Sequence, residues 1–345
     1  MNERVIRPYA SPGAEGDADV IDLAGIRVPA QMLRRLVSLA IRAPSVHNTQ
    51  PWLWRIHPDG LDLHADESRR LTAADPTGRN LVISCGAALH HLRVVAHASG
   101  LLADVDRFAD PDDPTLLARV RFTPAPPPRT AAADLRAVQE RCTDRRRFTS
   151  WPVPHGRLNL LAQAVERDGG YAVPISDVTD RFRVDLLAAR AHRLQERDAA
   201  ITAEVQQWTH RNAYDGLPAD HLPARAPVPD KIPSRFDEGL LPDDGQEVES
   251  GDGVIVICGD DDSRASWLRA GESLSALWLT AVKDGLSVVP LSQVIEVPET
   301  REALQHQVLG DLAVALLLVR IGWQPISRGQ LAPTPRRPLD DVLMA

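Results

Sequence analysis

Residues 43–52 form the densest group of hydrogen-bonding side chains in the chain, Ala43-Pro44-Ser45-Val46-His47-Asn48-Thr49-Gln50-Pro51-Trp52. One loop here carries hydroxyl, imidazole and amide groups, which include both donors and acceptors. Such a mixture suits the polar edge of a flat heterocycle. The alternative is a loop in which Ser45 and Asn48 cap a turn, and composition alone does not decide between the two.

A second cluster is basic and reads Arg141-Cys142-Thr143-Asp144-Arg145-Arg146-Arg147-Phe148. The chain has a net charge of −8, so these four arginines form a local anion site in an acidic background. A guanidinium suits phosphate because its planar fork donates two charge-assisted hydrogen bonds at once. A solvated basic turn is the alternative.

Two further segments lie in the C-terminal quarter. Pro333-Thr334-Pro335-Arg336-Arg337-Pro338-Leu339-Asp340-Asp341-Val342 sets a basic pair between prolines, and the alternative is a simple tail. Gly285-Leu286-Ser287-Val288-Val289-Pro290-Leu291-Ser292-Gln293 follows a predicted helix, and the alternative is the end of a buried strand.

Hydrophobic spacing predicts the elements that position these segments. In the first half the pattern predicts helices over 29–43 and 81–99, with strands over 53–57, 61–64, 105–108 and 117–122. A proline-rich connector, 123–130, marks a boundary. In the second half it predicts helices over 134–141, 157–167, 180–208 and 265–284, with strands over 171–175, 254–258 and 311–319.

An internal repeat links the two halves. Gly86-x-x-Leu89-x-x-Leu92 and Gly271-x-x-Leu274-x-x-Leu277 are each followed by a Gly-Leu pair fourteen residues after the first glycine. Duplication explains this, and chance similarity of two amphipathic helices is the alternative. The second half carries about sixty extra residues, whose irregular part, 211–253, indicates a lid or a disordered linker.

Composition excludes several classes of protein. Apolar content of 43% with 25% charged residues is typical of a globular chain. The acidic balance gives no electrostatic basis for binding nucleic acid or an anionic membrane. The longest apolar run, 312–319, is too short to cross a bilayer, and the polar N-terminus lacks a signal sequence. We therefore expect a soluble, cytoplasmic protein.

Metal binding is not expected. The three cysteines are far apart, and the adjacent histidines His90 and His91 point in different directions on a helix. The cysteines, Cys85, Cys142 and Cys258, are best interpreted as small buried residues in a reducing compartment.

The pattern PSxxNxQPW after an amphipathic helix resembles the signature of the FMN-dependent nitroreductase family, and its His47-Asn48-Thr49 version is similar to the Acg-like actinobacterial branch. The resemblance implies that Pro44, Ser45 and Asn48 touch the isoalloxazine ring. Gln50, in the same loop, is counted as cofactor-binding with them.

The other segments also match that family. The resemblance implies that Arg141, Thr143 and Arg145 bind the ribityl chain, the phosphate and the pyrimidine edge. It implies that Arg336, with Arg337 second, holds the phosphate, although Thr334 stands where the family pattern has its first basic residue. It also implies that Pro290, Leu291 and Ser292 lie beside the reactive nitrogen of the flavin.

We therefore predict an α+β, nitroreductase-like fold with two related units fused as an intramolecular pseudo-dimer. The predicted divisions are a flexible arm (1–28), a first unit (29–130) and a second unit (131–345) with a lid insertion at about 209–253. The halves supply different parts of one site, which implies one FMN per chain and a monomer.

The resemblance implies hydride transfer from NAD(P)H through FMN to a nitroaromatic, quinone or related acceptor. No catalytic side chain is predicted, because the flavin carries the redox step. One alternative is a protein that sequesters FMN under its lid with little turnover. Another is a specialised flavin-dependent biosynthetic enzyme.

Overall fold

A computed structural model describes residues 20–23, 26–57, 60–209, 211, 214–224, 236, 239–241, 251–326, 328–329 and 331–344. The strands are β1 (Val20–Leu23), β2 (Ile26–Pro29), β3 (Trp52–His57), β4 (Gly60–Ala65), β5 (Leu101–Arg107), β6 (Leu116–Pro124), β7 (Tyr171–Pro174), β8 (Gly253–Gly259), β9 (Ser287–Pro290) and β10 (Val314–Gly322). The helices are α1 (Ala30–Ala40), α2 (Arg79–Ala98), α3 (Ala131–Glu140), α4 (His155–Arg167), α5 (Val178–Glu196), α6 (Ala199–Trp208), α7 (Arg264–Lys283), α8 (Gln293–Glu296), α9 (Pro298–Gln307) and α10 (Leu339–Val342).

Two four-stranded antiparallel sheets carry the fold, and both have the same strand order. One is ordered β3-β4-β6-β5 and the other β7-β8-β10-β9. In each half a helix (α1 or α4) precedes the first two strands, and a 20-residue helix (α2 or α7) precedes the last two. The predicted α+β class is confirmed.

The registers of the two sheets also coincide. In the first sheet Leu63 pairs with Ala118, and the next residue, His64, pairs with Leu116 because the ladder skips one position. In the second sheet Ile257 pairs with Leu317, and Cys258 pairs with Ala315 across the same kind of skip. A bulge is a specific local feature, so its presence at one equivalent place in both sheets allows residues of the two halves to be matched one to one.

The glycines of the repeat lie where α2 and α7 pack together. A Cβ atom on Gly86 would lie 2.0 Å from the carbonyl oxygen of Leu268, and one on Gly271 would lie 1.9 Å from that of Ile83. Only glycine permits so close an approach of two helix backbones. One turn later, Nδ1 of His90 lies 2.7 Å from Oγ of Ser275, so the helices run in the same direction with equivalent residues facing each other.

Helix α2 is long and apolar enough to cross a membrane by composition, but 78% of its most apolar window is buried inside the protein. Its apolar character is explained by its contacts with α7 and with the first sheet. Cys85 and Cys258 are buried as expected, whereas Cys142 is half-buried.

Two predicted elements differ in the structure. The single helix predicted over 180–208 is wrong, because the chain forms α5 and α6 instead. Asp198 lies between them, and its side chain accepts hydrogen bonds from the amides of Ala200 and Ile201, which starts a new helix. Within the predicted arm 1–28, β1 pairs with β2, and residues 1–19 lie outside the described residues.

Candidate functional site

The loop between α1 and β3 has an unusual backbone. His47, Asn48 and Gln50 all have positive φ angles, of 47°, 55° and 51°. Each such non-glycine residue costs on the order of 1 kcal/mol and persists only where surrounding contacts hold it. One of these contacts is internal, because Oγ of Ser45 accepts a hydrogen bond from the amide of Gln50 at 3.0 Å.

The amide side chains of this loop join it to two distant segments. Nδ2 of Asn48 donates to the carbonyl oxygens of Gly216 (2.9 Å) and Pro335 (3.1 Å). Nε2 of Gln50 donates to the carbonyl of Tyr214, and its Oε1 accepts from the amide of Arg337, both at 2.8 Å. These two predicted site residues therefore shape the loop from within the protein.

A cavity lies between this loop, the first turns of α2, one face of α7 and the end of β9. It encloses about 1040 Å³, including its open mouth. Seven predicted site residues lie in its wall: Pro44, Ser45, Thr143, Arg145, Pro290, Leu291 and Ser292. The fold therefore brings together segments that are up to 248 residues apart in the sequence.

Several wall residues were not predicted as site residues: Asn80, Ile83, Ser84, Phe236, Leu274, Trp278, Val289, Gln293, Leu317 and Arg320. Two of them had a detectable signal. Leu274 and Trp278 follow the repeat glycine Gly271 at i+3 and i+7, so they lie on the helix face that begins at that glycine. Gln293 had no signal of its own beyond ending the segment 285–293 quoted above, and nothing local marks Asn80.

Arg141 lies directly behind the cavity wall. Its side chain is buried, and its guanidinium lies 4.7 Å from the centre of the Trp278 ring, which itself lines the cavity. Its Nη2 donates to the carbonyl of Arg42 at 2.9 Å. Burial lowers the pKa of Arg141 to about 10, so the group remains protonated at neutral pH.

Arg336 also lies outside the cavity wall and binds the end of α1. It donates to the carbonyl oxygens of Ile41, Arg42 and Ala43 at 3.0–3.1 Å, and to Oδ1 of Asn48 at 3.1 Å. The last carbonyls of a helix attract cations because the helix leaves them without partners. The observed contacts of Arg336 thus attach the C-terminal segment to the loop.

Arg337 has a similar set of contacts. It donates to the carbonyls of Gln50 (3.2 Å) and Asp341 (2.6 Å), and it lies 3.4 Å from a carboxylate oxygen of Asp66. Phosphate binding by either C-terminal arginine stays a prediction.

Arg42, Arg141 and Arg336 form a cationic cluster, in which Arg141 is buried and the other two are half-buried. Burial, together with the charges of Arg141 and Arg42, lowers the pKa of Arg336. Across the described part of the chain, none of the three has a carboxylate within 4.0 Å. Buried charges are normally paired, so this cluster favours an anion as its missing partner.

The described residues of the predicted lid contact this site. Phe236 lies in the cavity wall, with its ring centre 5.3 Å from that of His47 and 5.0 Å from the guanidinium of Arg145. Asp215 pairs with Arg69, whose Nε donates to the carbonyl of Thr49. Residues 225–235 and 242–250 of the same segment lie outside the described residues.

In the ranges that the structure describes, no three His, Cys, Asp or Glu side chains form a group able to hold a metal ion.

Known proteins resemble this chain along most of its length, although no family model matches it. A Mycobacterium tuberculosis protein with the provisional name NAD(P)H nitroreductase Rv3131 is 36% identical over 318 residues, which is 91% of either chain. The chain belongs to the NAD(P)H nitroreductase family. Another such nitroreductase of M. tuberculosis, Acg, is 34% identical over 326 residues, 91% of this chain and 96% of its own.

A solved structure is also similar, the nitroreductase with bound FMN from Bacteroides fragilis. It is 12% identical with a TM-score of 0.37, and the match covers 59% of the present chain and 94% of the B. fragilis chain. At this TM-score the likeness adds nothing to the assignment, which rests on the sequence relatives.

Proposed function

We propose that this nitroreductase binds one FMN in the cavity and transfers hydride from NAD(P)H to a nitroaromatic, quinone or related acceptor. The observation that carries the proposal is the composition of the site. Segments from both halves of the chain form one cavity wall, and a cationic cluster that has no carboxylate partner among the described residues lies behind it.

The residues present fit FMN. Leu274, Trp278 and Ile83 supply apolar surface for a flat ring, while Thr143 and Arg145 supply polar groups. Nε1 of Trp278 and Nε of Arg141 are buried donors without a hydrogen-bond partner among the described residues. A ligand with an anionic end accounts for such donors, because an unsatisfied buried donor costs about 1–3 kcal/mol.

We assign the residues as follows. The ring is contacted by Pro44, Ser45 and the backbone at Pro290, Leu291 and Ser292, while its pyrimidine side and the ribityl chain are contacted by Thr143 and Arg145. The positive field for the phosphate comes from Arg141, Arg336 and Arg337. The shape of the loop is held by Asn48 and Gln50. FMN, when bound, supplies the redox chemistry. The protein orients the ring and excludes water.

We also propose that the chain arose by duplication and acts as a monomeric pseudo-dimer of units 29–130 and 131–345. The shared strand order, the matching bulges and the mutual contact of Gly86 and Gly271 support this origin. A cytoplasmic location belongs to the same proposal.

A second candidate function is FMN sequestration under a lid at about 209–253. Phe236 favours it, because this ring lies in the cavity wall where a nicotinamide would need to stack. A third candidate, a specialised biosynthetic flavoenzyme, would use the same ring to shape its substrate pocket.

Anaerobic mixing of the FMN-loaded protein with NADPH or NADH tests the proposal through the visible absorbance of the flavin. Rapid bleaching is the expected result. A flavin that stays oxidised with both nucleotides, yet is reduced by dithionite, would favour sequestration. A protein that retains no FMN after reconstitution would overturn both functions.

A further inference from the structure

A chain of hydrogen-bonded amides connects the cavity wall to the half-buried carboxylate of Glu296. Nδ2 of Asn80 donates to one oxygen of Glu296 at 2.9 Å, and Nε2 of Gln195 donates to the other at 2.7 Å. Nε2 of Gln293 then donates to Oε1 of Gln195 at 3.1 Å. Asn80 and Gln293 line the cavity from opposite ends of this chain.

The carboxylate sets the direction of every amide in the chain. An ionised carboxylate only accepts hydrogen bonds, so the amide nitrogens of Asn80 and Gln195 face Glu296. Gln195 consequently turns its oxygen toward Gln293, whose nitrogen faces Gln195. The remaining amide oxygens, Oδ1 of Asn80 and Oε1 of Gln293, are the free ends of the chain.

Those two oxygens have no hydrogen-bond partner in the described part of the protein. Their residues are 6% and 7% exposed and line the cavity, so the cavity is where a partner can reach these oxygens. An acceptor in a cavity wall suits a donor on the ligand, because polar groups that a ligand covers need hydrogen-bond partners.

We propose that Glu296 is a positioning residue that locks Asn80 and Gln293 with their oxygens toward the cavity, where they accept a hydrogen bond from the N3–H group of bound FMN. N3–H is the one N–H group of the oxidised isoalloxazine ring. The inference rests on the proposed function, and it specifies how this wall recognises the ligand.

Glu296→Gln is the most direct test, because it keeps the shape and removes the all-acceptor character. A glutamine at this position offers one oxygen and one nitrogen. Either Asn80 or the Gln195–Gln293 pair therefore has to reverse, which turns an amide nitrogen toward the cavity. Two donors then face each other at N3–H.

The experiment measures the Kd of FMN and of N3-methyl-FMN for wild type and for Glu296→Gln. Wild type is expected to bind the methylated analogue at least tenfold more weakly than FMN. In Glu296→Gln the Kd of FMN is expected to rise about tenfold and the preference over the analogue to disappear. Glu299→Gln is the matched control, since Glu299 is 62% exposed and pairs with Arg190 on the surface; both Kd values should stay at wild-type levels.

A second variant covers the case in which Glu296→Gln does not fold. Gln293→Met removes one acceptor while keeping the length of the side chain, and it should reduce the preference for FMN over its N3-methyl analogue at least threefold. A shift in the flavin reduction potential should accompany the loss, which a purely structural role in packing would not produce.

The outcomes separate this inference from the proposed function. Equal wild-type affinity for FMN and N3-methyl-FMN would overturn the role of Glu296 while FMN binding stands. The protein could instead discriminate only between NADPH and its 3-acetylpyridine analogue, which lacks the amide donor. That result would assign the contact to the nicotinamide and would also overturn the role of Glu296. Absence of FMN binding in wild type would reject both.

Discussion

The cavity has a matching region on the other side of the α2–α7 pair. The two regions have the same arrangement of helices and strands but different side chains. Trp278 and Ser292 line the cavity, and the matched residues 185 positions earlier are Arg93 and Arg107. Both arginines donate to the buried carboxylate of Glu272 at 2.7–2.8 Å, and Arg93 also reaches Asp168 at 3.0 Å. One region is open, and the other is filled by an ion network.

The loops that precede the first strand of each sheet differ in length. Eleven residues separate α1 from β3, whereas three separate α4 from β7. A Cβ atom on the last of these three, Gly170, would lie 2.0 Å from Oγ of Ser273 on α7. The shorter loop therefore packs directly on the helix. The comparison teaches that side chains and loop length, not the arrangement of helices and strands, decide which of two matched regions binds a ligand.

The largest effect is expected for Glu272→Ala. It leaves Arg93 and Arg107 without their buried partner, and breaking a buried ion pair costs about 3–5 kcal/mol of unfolding free energy. Denaturant unfolding measures the loss, with the exposed Glu299→Ala as control. A loss below about 1 kcal/mol would mean that the network does not hold the filled region together.

Arg141→Ala should weaken FMN binding about 100-fold, because it removes a buried charge next to the cavity; charge-assisted hydrogen bonds contribute about 1.5–3 kcal/mol each. Arg93→Ala, which removes a positive charge in the filled region, should leave the FMN Kd unaltered. Titration of both apoproteins with FMN checks the pair. Equal effects of the two changes would contradict the assignment of the phosphate field to one side.

Gly86→Ala and Gly271→Ala should each destabilise the protein by about 1–3 kcal/mol, because the new methyl group meets a helix carbonyl. The two losses should be similar if the helix pair is a true symmetric contact. Thermal or denaturant unfolding of both variants provides the measurement, with Gly156→Ala as control, since a Cβ there meets nothing within 4 Å.

An effect of pH on stability is expected at Asp75, next to the first turn of α2. Burial raises the pKa of Asp75 to about 6, from an ordinary value of 3.8. At the start of α7, burial acts in the same direction on Asp262, but hydrogen bonds from Arg301 and Arg79 outweigh it and lower the pKa. The pKa values of these two carboxyl groups, which lie near matched helix starts, are therefore shifted in opposite directions.

Between the two pKa values, Asp75 is protonated in the folded state and ionised in the unfolded state. Stability should therefore fall as the pH rises from about 4 to about 6, by about 2 kcal/mol from this group. Asp75→Asn should flatten that part of the profile of unfolding free energy against pH. A variant whose profile keeps the wild-type slope would rule out Asp75 as the cause.

Much of the fold follows from local patterns. Leu33, Leu36, Val37 and Ala40 recur at helical spacing and are all buried in α1, and the glycine repeat anticipates the contact between α2 and α7. The break at Asp198 was missed because apolar spacing continues across it, while the capping carboxylate competes with a continuous helix. The helices α8 and α9 were not distinguished from their surroundings, and the short strand β9 was expected only as the alternative interpretation of residues 285–293.

The motifs of the site were likewise local. Composition singles out the segments that contain Pro44, Ser45, Thr143 and Arg145, and the family resemblance gave these residues their expected roles. Tertiary packing decided the rest. Asn80, Gln195, Gln293 and Glu296 form one hydrogen-bonded chain although up to 216 residues separate its members. Arg336 stands in a segment whose composition is typical of phosphate binding, yet its guanidinium binds the end of α1. The direction of an amide or a guanidinium depends on which acceptors the fold places around it, and those come from distant parts of the chain.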